Sequence, residues 1–575
     1  MIRRRWHLLP PLADNIIIDR VNKAGLHRFD NRQPQDTPIT PLLVQLLHNR
    51  GISDPIEFAI FLCADERLSN DPFSLPDIEQ SVDRALKAIK NRELIAIYGD
   101  FDADGITGTA LLTQGIAELG GNVTHYIPHR IDEGHGLNSN ALENLKRMGV
   151  NLIVTVDCGI TEIQEVMYAN KLGIDVVITD HHVPSNNIPP ALGAIDPKRE
   201  DSNYRFTELA GVGVAFKFLQ ALFAKAKNDT EWNKFLELVV LGTVTDMVPL
   251  KGENRYLVKR GLAALNKCKR IGLLELINSA GLMVGKLDTE SISYRLGPRL
   301  NASGRIDHSI TSYELLMASS VEEARQLSAV LESNNCERQR LTAEILSQAR
   351  EKILMEYAGL PLLMIGGHNY PPGVVGVVAG KLVNEFYRPA IVLNLDGDTA
   401  RGSARSIPEF NIVAALTQCS DILTRFGGHH QAAGFITDID KVEELNKRLI
   451  AIAERELANV DLCPVIAIDA ALPLSELNGD TFKQINRLVP FGQANQTPTF
   501  LSRGVQIVES KCLGENGDHL KLKLRSGRIV WDAIGFDLGD RQLSSHIDIV
   551  YNLQIEQWGG RESIRLHLLD FLPAS

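Results

Sequence analysis

The chain has 575 residues, 44% of them hydrophobic and 23% charged, with a formal net charge of −11. A single core stops growing at about 250–300 residues, so two to four globular domains are expected, and the composition excludes disorder and fibre. Seven cysteines (63, 158, 268, 336, 419, 463 and 512) stand far apart with no Cys-x-x-Cys pair, which argues against a zinc ribbon and a disulfide framework.

The opening MIRRRWHLLPPLADN holds no apolar segment of signal-peptide length, and no run reaches about 18 apolar residues, so a cytoplasmic protein without membrane contact is expected. Acidity lowers the prior for a polyanion partner. That inference is weak, because carboxylates gathered around metal ions inflate the acidic count and basic residues cluster in RYLVKRGLAALNKCKR (255–270) and RLGPRLNASGR (295–305).

Residues 1–75 are expected to pack as an N-terminal segment on the core. From 94 to 200, four short apolar runs, LIAIY (94–98), NVTHYI (122–127), LIVTV (152–156) and DVVIT (175–179), alternate with helix-patterned segments that end in glycine. Strands buried on both faces and joined by helices predict an α/β domain with a doubly wound parallel sheet, placed at 76–315. A long helix is predicted over 316–355, starting from a capping box of Ser320 and Glu323 and reading as a strut between domains or an ordinary long core helix. A second α/β region is expected at 356–458. Residues 459–575 alternate short strands with GENGD, SGR and GGRES turns, which predicts a small barrel or sandwich, the five-stranded oligonucleotide-binding barrel being one option.

The stretch IAIYGDFDADGITGTALL (95–112) sets Asp100, Asp102 and Asp104 at alternate positions directly behind an apolar run. A calcium EF-hand fails at its twelfth position, where Leu111 replaces the bidentate glutamate, and a strand rather than a helix precedes it. A dinucleotide-binding turn is excluded because aspartates stand where a pyrophosphate needs glycine backbone. A dehalogenase-type phosphatase motif would need threonine in place of Ile106. The remaining reading uses the other strand ends. LIVTV ends at Asp157 and DVVIT ends at Asp180, His181 and His182, and open parallel sheets bind ligands outside the carboxyl ends of their strands. Each Asp or His alone is more often a cap or a satisfied core residue. Crowded together, such carboxylates repel one another unless cations neutralise them, and carboxylate with imidazole suits Mn²⁺ or Mg²⁺. Two such ions serve in-line phosphoryl displacement without a protein nucleophile.

YGDFDADG, HRIDEGHGL (129–137), VDCG and TDHH resemble the successive motifs of the DHH phosphoesterase superfamily, and RFGGHHQAAGF (425–435) resembles the glycine-rich signature of its associated second domain, the DHHA1 type. With GPRLNASGR, GSARS and the β-rich tail, the likeness covers nearly the whole chain and is to a bacterial branch of single-strand-specific 5'→3' DNA exonucleases. The resemblance implies two-metal hydrolysis to 5'-mononucleotides in DNA recombination and mismatch repair. It implies metal ligation by Asp102, Asp104, Asp157, His181 and Asp246, with Asp157 bridging. Some superfamily members carry a histidine where Tyr98 stands, so Asp100 or a more open coordination sphere substitutes. Asp180 and His182 are assigned to orientation and phosphate contact, with His135 and Arg130 as further phosphate contacts. Arg299, Asn301, Ser303 and Arg305 are candidates for the DNA backbone. Ser403, Arg405, Gly427, Gly428 and His429 are candidates for a 5'-terminal phosphate. Trp531 and Trp558 are candidate base-stacking residues, with a core role the more common one for tryptophan.

The expected partner is single-stranded DNA, with links to single-strand-binding protein and a helicase implied by the family, and a monomer is expected. Two rival functions stand beside this one: a phosphodiesterase for short oligonucleotides or cyclic dinucleotides, which generally lacks a terminal barrel, and a non-catalytic single-strand binder with a vestigial site.

Overall fold

The computed structural model describes residues 4–26, 39–227, 231–357, 359–514, 516–558 and 561–574. It divides into two compact units, one built mainly from Asn70–Val248 and Arg260–Cys463, the other from Arg3–Ser69, Pro249–Lys259 and Pro464–Ser575.

In the first unit, β1 (Leu94–Gly99), α1 (Ala103–Glu118), β2 (Asn122–Tyr126), α2 (Ser139–Arg147), β3 (Val150–Val156), α3 (Ile163–Lys171), β4 (Asp175–Thr179) and β5 (Gly193–Ile195) succeed one another. The sheet is wholly parallel in the order β2-β1-β3-β4-β5. Ile95, Ala96, Ile97 and Tyr98 have no exposed surface, as expected where continuous apolar runs are covered on both faces. The order reverses between β1 and β3, which opens a crevice at their carboxyl ends. Strand β5 was not foreseen, since three residues are too short a run to register as a strand.

Helices α4 (Gly211–Lys225), α5 (Leu236–Thr245), α6 (Ile271–Ser279) and α7 (Gly297–Ile306) come next, with α1 lying against both α4 and α5. Then comes α8 (Val321–Glu356), whose 36 residues begin with the Ser320 side chain accepting from Glu323 N. Its buried stripe runs through Ala324, Leu331, Ile345, Ala349 and Ile353, and its polar centre turns Asn335 and Thr342 inward as well. Helix α8 packs on α6 and α7 at one end and on α9 (Pro372–Phe386) at the other. It therefore carries the second sheet, β6 (Leu363–Gly367), β7 (Ala390–Asp396), β8 (Thr399–Arg405), β9 (Arg425–His429) and β10 (Ala432–Asp438), in the order β9-β10-β8-β7-β6. Only β6 and β7 pair in parallel.

In the second unit, β11 (Phe500–Leu513), β12 (His519–Ser526), β13 (Ile529–Gly535), β14 (His546–Trp558) and β15 (Arg561–Pro573) close a five-stranded barrel through the β11–β14 pairing. Strands β13 and β15 pair in parallel and the other neighbours antiparallel. The N-terminal residues Leu43, Val44, Leu47, Phe58 and Phe61 share one core with Leu520, Leu522, Leu524, Tyr551 and Phe571 of the barrel. The N-terminal segment expected to pack on the core contributes these residues to the barrel's own core. Residues 1–3 and 27–38 of it lie outside the described residues.

Arg255, from the basic run 255–270, is buried here rather than solvated. Its guanidinium donates to Phe61 O (2.8 Å), Leu488 O (2.9 Å) and Val489 O (2.8 Å) and lies 3.9 Å over the Phe61 ring. Burial pushes it down to about 9. Trp531 is half-buried against the barrel core, its Nε1 donating to Leu474 O at 3.2 Å. The Trp558 side chain lies outside the described residues.

Candidate active site

The sheet's carboxyl edge gathers the acidic groups. Asp100 follows β1 and Asp157 follows β3, one on each side of the order reversal; Asp180 follows β4 and Asp196 follows β5. Asp157 holds φ at +61°, a left-handed conformation that non-glycine residues adopt at a cost and that recurs at functional sites. Asp102 caps α1, its Oδ1 accepting from Asp104 N (2.9 Å) and Gly105 N (3.2 Å). Asp104, in the first turn, accepts from Gly211 N (2.6 Å) and Val212 N (2.9 Å) at the start of α4, where the helix dipole favours a negative group. Asp246 closes the far end of α5.

Two glycines make this crowding possible. A Cβ on Gly211 would stand 2.6 Å from Asp157 Cβ, and one on Gly242 of α5 would stand 2.7 Å from Asp104 Oδ1. The loop before α1 is held from α7, where Asn301 Oδ1 accepts from Ala103 N at 2.8 Å, and by Ser309, whose Oγ donates to Phe101 O at 2.7 Å.

Three sets of potential ligand atoms come together within 4.8 Å: Asp157 with His181 and His182, Asp104 with His181 and Asp246, and Asp100 with Asp102 and Asp157. His181 Nε2 stands 3.0 Å from Asp157 Oδ1 and 3.6 Å from Asp246 Oδ2, yet none of these three buried atoms is in a hydrogen bond among the described residues. Burial, and then the repulsion of Asp100 and Asp246, lifts Asp102 to about 6. Burial and neighbouring carboxylates hold Asp104 and Asp157 well above the ordinary range. Burial takes Asp246 to about 6 as well. Burial, with the charge of His182, lowers His181 to about 3, so its imidazole is neutral and its lone pair free. Buried, unpartnered carboxylate oxygens converging with a neutral imidazole nitrogen are a donor set that fits divalent cations of the Mn²⁺ and Mg²⁺ kind.

Asp180 is the satisfied member of the group. It accepts from His181 N (2.7 Å), His182 N (3.2 Å), His182 Nδ1 (2.7 Å) and Ile160 N (3.0 Å), bonds that keep it ionised despite burial. The bond to Nδ1 leaves Nε2 of His182 for another partner. His135 Nδ1 lies 3.0 Å from Asp100 Oδ1; burial opposes its charge, but Asp100 prevails and raises it to about 9. Tyr98, at the position where some superfamily members carry histidine, turns its hydroxyl away to donate to Gly136 O at 2.9 Å.

The arginines divide into two kinds. Arg299 is tied to Glu332 (2.5 Å) and Arg295 O (2.8 Å), and Ser303 is fully buried against Ser312 Oγ at 2.8 Å. These two pin α7 on its neighbours and do not present a surface to a strand, and Asn301 is used on Ala103. Arg130 stacks at 4.7 Å over Phe101 and lies in the field of Asp100 and Asp102. Burial first, then the charges of Arg130, Arg338 and Arg405, push Arg305 down to about 9 against the pull of Asp102; Arg305 Nη1 donates to Gly373 O (3.0 Å) and Arg405 Nη1 to Ala404 O (2.8 Å), and neither has a carboxylate partner among the described residues. Cross-strand register sets Ser403 in one row with Gly434 and Gly427, and Arg405 in the next with Ala432 and His429, while Gly428 pairs with Ala433 in between. A Cβ on Gly376 of α9 would meet Ser403 Oγ at 2.9 Å and Arg405 Nη2 at 3.2 Å.

Sequence reasoning missed Asp196, which is fully buried with Oδ2 unpartnered; burial and Asp180 lift it to about 8. The signal was the apolar triplet GAI ending in Asp, the same pattern as at the longer strands. It also missed the role of Gly211 and Gly242, whose need appears only when the helices are packed.

A parallel sheet with this carboxylate-and-imidazole edge, a linked mixed sheet and a five-stranded barrel define the class, a metal-dependent phosphoesterase of the DHH type. The DHH family N-terminal domain matches residues 94–243, the DHHA1 domain 351–455 and the RecJ OB domain 468–570. The single-stranded-DNA-specific exonuclease RecJ of Bacillus subtilis (strain 168) is 37% identical over 92% of this chain and 68% of its own length; that of Haemophilus influenzae is 32% identical over 92% and 96%; and that of Escherichia coli K12 is 30% identical over 95% and 99%. The crystal structure of RecJ in complex with Mn²⁺ from Thermus thermophilus superposes with a TM-score of 0.85 at 27% identity, covering 100% of this chain and 80% of that one. The Mg²⁺ complex from the same organism gives 0.79 at 25% identity, covering 100% and 79%. The chain belongs to the RecJ family of single-stranded-DNA-specific exonucleases.

Proposed function

We propose that this protein is a metal-dependent exonuclease that degrades single-stranded DNA in the 5'→3' direction and releases 5'-mononucleotides in DNA recombination and repair. The observation that carries the reading is the convergence of buried, unpartnered carboxylate and imidazole atoms at the carboxyl edge of the parallel sheet. Asp102, Asp104, Asp157, His181 and Asp246 would hold Mn²⁺ or Mg²⁺, Asp157 being shared by two of the three ligand sets and Asp100 supplying further negative charge. When bound, such ions polarise the scissile phosphate and supply an activated water.

The chain's own residues do the rest. Asp180 fixes His182 through Nδ1, so that a proton on Nε2 is aimed at a phosphate oxygen. His135, charged beside Asp100, faces the same phosphate. Arg130, Arg305, Arg405 and Ser403, with the amides of Gly427, Gly428 and His429, take the 5'-terminal phosphate, which fixes the polarity of attack. Bringing a terminal phosphate to one end and a scissile bond to the other sets the one-nucleotide step. Arg299, Asn301 and Ser303 act by holding α7 and the aspartate loop in place.

The domain limits expected from sequence, 76–315, 316–355, 356–458 and 459–575, are kept as part of this reading, supported by the spans of the three family matches. The barrel binds single-stranded DNA by charge and stacking. Among the described residues no helix is long and apolar enough to cross a membrane. A cytoplasmic monomer working with a helicase and single-strand-binding protein fits the family. The terminal barrel weighs against the cyclic-dinucleotide reading, and the buried unpartnered ligand atoms weigh against a vestigial site.

The deciding assay presents 5'- and 3'-labelled single strands and blunt duplex with Mn²⁺, Mg²⁺ or chelator. Release of labelled mononucleotide from the 5' end of single strands only, and only with metal, is expected. Equal attack on duplex, or full activity in chelator, sinks the reading.

A further inference from the structure

The basic run 255–270 is only half explained by Arg255, which is spent on carbonyls in the barrel unit. Its other half borders an open concavity of about 900 Å³ in the first unit. One wall is the last turn of α1 at Gln114 and Glu118, another the start of α5 at Phe235 and Glu237, and a third the turn from Lys267 to Ile271 that leads into α6. Helices α1 and α5 carry Asp102, Asp104 and Asp246 at their opposite ends. With about 1.5 Å of rise per residue, the 16 residues of α1 put about 24 Å between the two sites.

The charges around the concavity are not balanced. Lys234 is paired with Glu118 (2.5 Å), and Arg270 with Glu237 (2.7 Å) while it also donates to Leu316 O (3.0 Å). These pairs use both carboxylates of the lining. Lys267 and Lys269 are exposed, and neither has a carboxylate partner among the described residues. Helix α6 begins at this wall, and no side chain caps its N-terminus, which leaves its first amides suited to an anion. Ala117, Ala264 and Ile271 add an apolar wall that a bare inorganic anion would not use. The volume lies in the range of small-molecule pockets, about 300–1,000 Å³.

From a concavity with two surplus cations, an uncapped helix start and an apolar wall, we infer that the protein has a second ligand site, separate from the metal cluster, which takes a nucleoside phosphate. The phosphate is held by Lys267, Lys269 and the α6 amides, with Arg270 fixed below, and the nucleoside lies on the apolar wall. The site does not depend on the catalytic reading, because none of its residues belongs to the metal cluster.

Calorimetric titration of the full chain with ADP, in chelator so that no ADP–metal complex forms, tests it. Wild type and Asp157→Asn are expected to bind one ADP saturably, and Lys267→Glu/Lys269→Glu at least tenfold more weakly. The milder Lys267→Ala/Lys269→Ala variant should be intermediate, and both lysine variants should keep wild-type melting and wild-type single-strand cleavage without nucleotide. The inference is overturned if no saturable ADP binding occurs, if the lysine variants bind as wild type does, if Asp157→Asn abolishes binding, or if an oligoglutamate peptide saturates the site and ADP does not.

Discussion

The strand-edge cluster of the first unit and Arg255 of the second are both charges taken out of water, and they differ in what satisfies them. Around Arg255 the backbone supplies carbonyls at 2.8 to 2.9 Å to its guanidinium nitrogens and an aromatic face below it, so the fold itself settles the charge. At the cluster, Asp157 Oδ1, Asp246 Oδ2 and His181 Nε2 stand close together with no hydrogen bond among the described residues. Hydrogen bonds from the fold offset much of the cost of burying a charge, whereas a charge left without them costs stability until a ligand arrives. Arg299, locked on the Glu332 carboxylate, differs from Arg305 and Arg405, which donate only to backbone carbonyls and a hydroxyl and have no carboxylate partner among the described residues.

This contrast is broken most directly at Asp157. Asp157→Asn keeps a side chain that tolerates the positive φ but removes the charge. It should lower kcat more than about 10³-fold while raising the apo protein's unfolding free energy in chelator by about 1 kcal/mol, through relief of repulsion. A variant less stable than wild type in chelator would show that the carboxylate is settled by the fold after all.

The opposite pattern is expected for Arg255→Met, which strands several buried carbonyls: a loss of roughly 3–5 kcal/mol in denaturant unfolding, with the metal-ion dependence of cleavage unchanged. Asp180→Asn is intermediate. It weakens the support of His182 and should reduce kcat roughly 10- to 100-fold, with the metal-dependent rise in melting temperature retained; an unchanged kcat would remove His182 from the reaction.

The smallest effect concerns Asp196. Its raised value means that the folded state keeps a proton which the unfolded chain releases near pH 4. The stabilisation from that proton is complete below about pH 4 and is lost as pH climbs to about 8. Asp196→Asn should lack this loss and should gain about 1–2 kcal/mol on wild type between pH 4.5 and 8.5. Parallel stability profiles for the two would mean that Asp196 is ionised in the folded protein.

Much of the cluster was legible because strand ends can be read. LIAIY, LIVTV and DVVIT each announce where a parallel strand stops, and a sheet of that kind gathers the residues just beyond its strand ends along one edge. Asp246 had no such signal, since it ends a helix far along the chain and was assigned only through resemblance. Arg299 and Ser303 misled for the reverse reason: a basic, glycine-containing loop in the sequence is a buried helix in the structure, and its polar atoms are used on neighbours.

The sequence by itself determined the parallel sheet, the aspartates and histidines at its edge, the long connecting helix and the terminal barrel, because hydrophobic period and turn residues are local properties of the chain. Only the tertiary structure decided which charges remain open. It joined the N-terminal segment to the barrel core, tied Arg255 and Arg299 to distant partners, left Arg305 and Arg405 without a carboxylate partner among the described residues, and required glycine at 211 and 242 so that backbone and carboxylate could approach. Whether a buried charge is satisfied depends on atoms hundreds of residues away, and no local pattern encodes that distance.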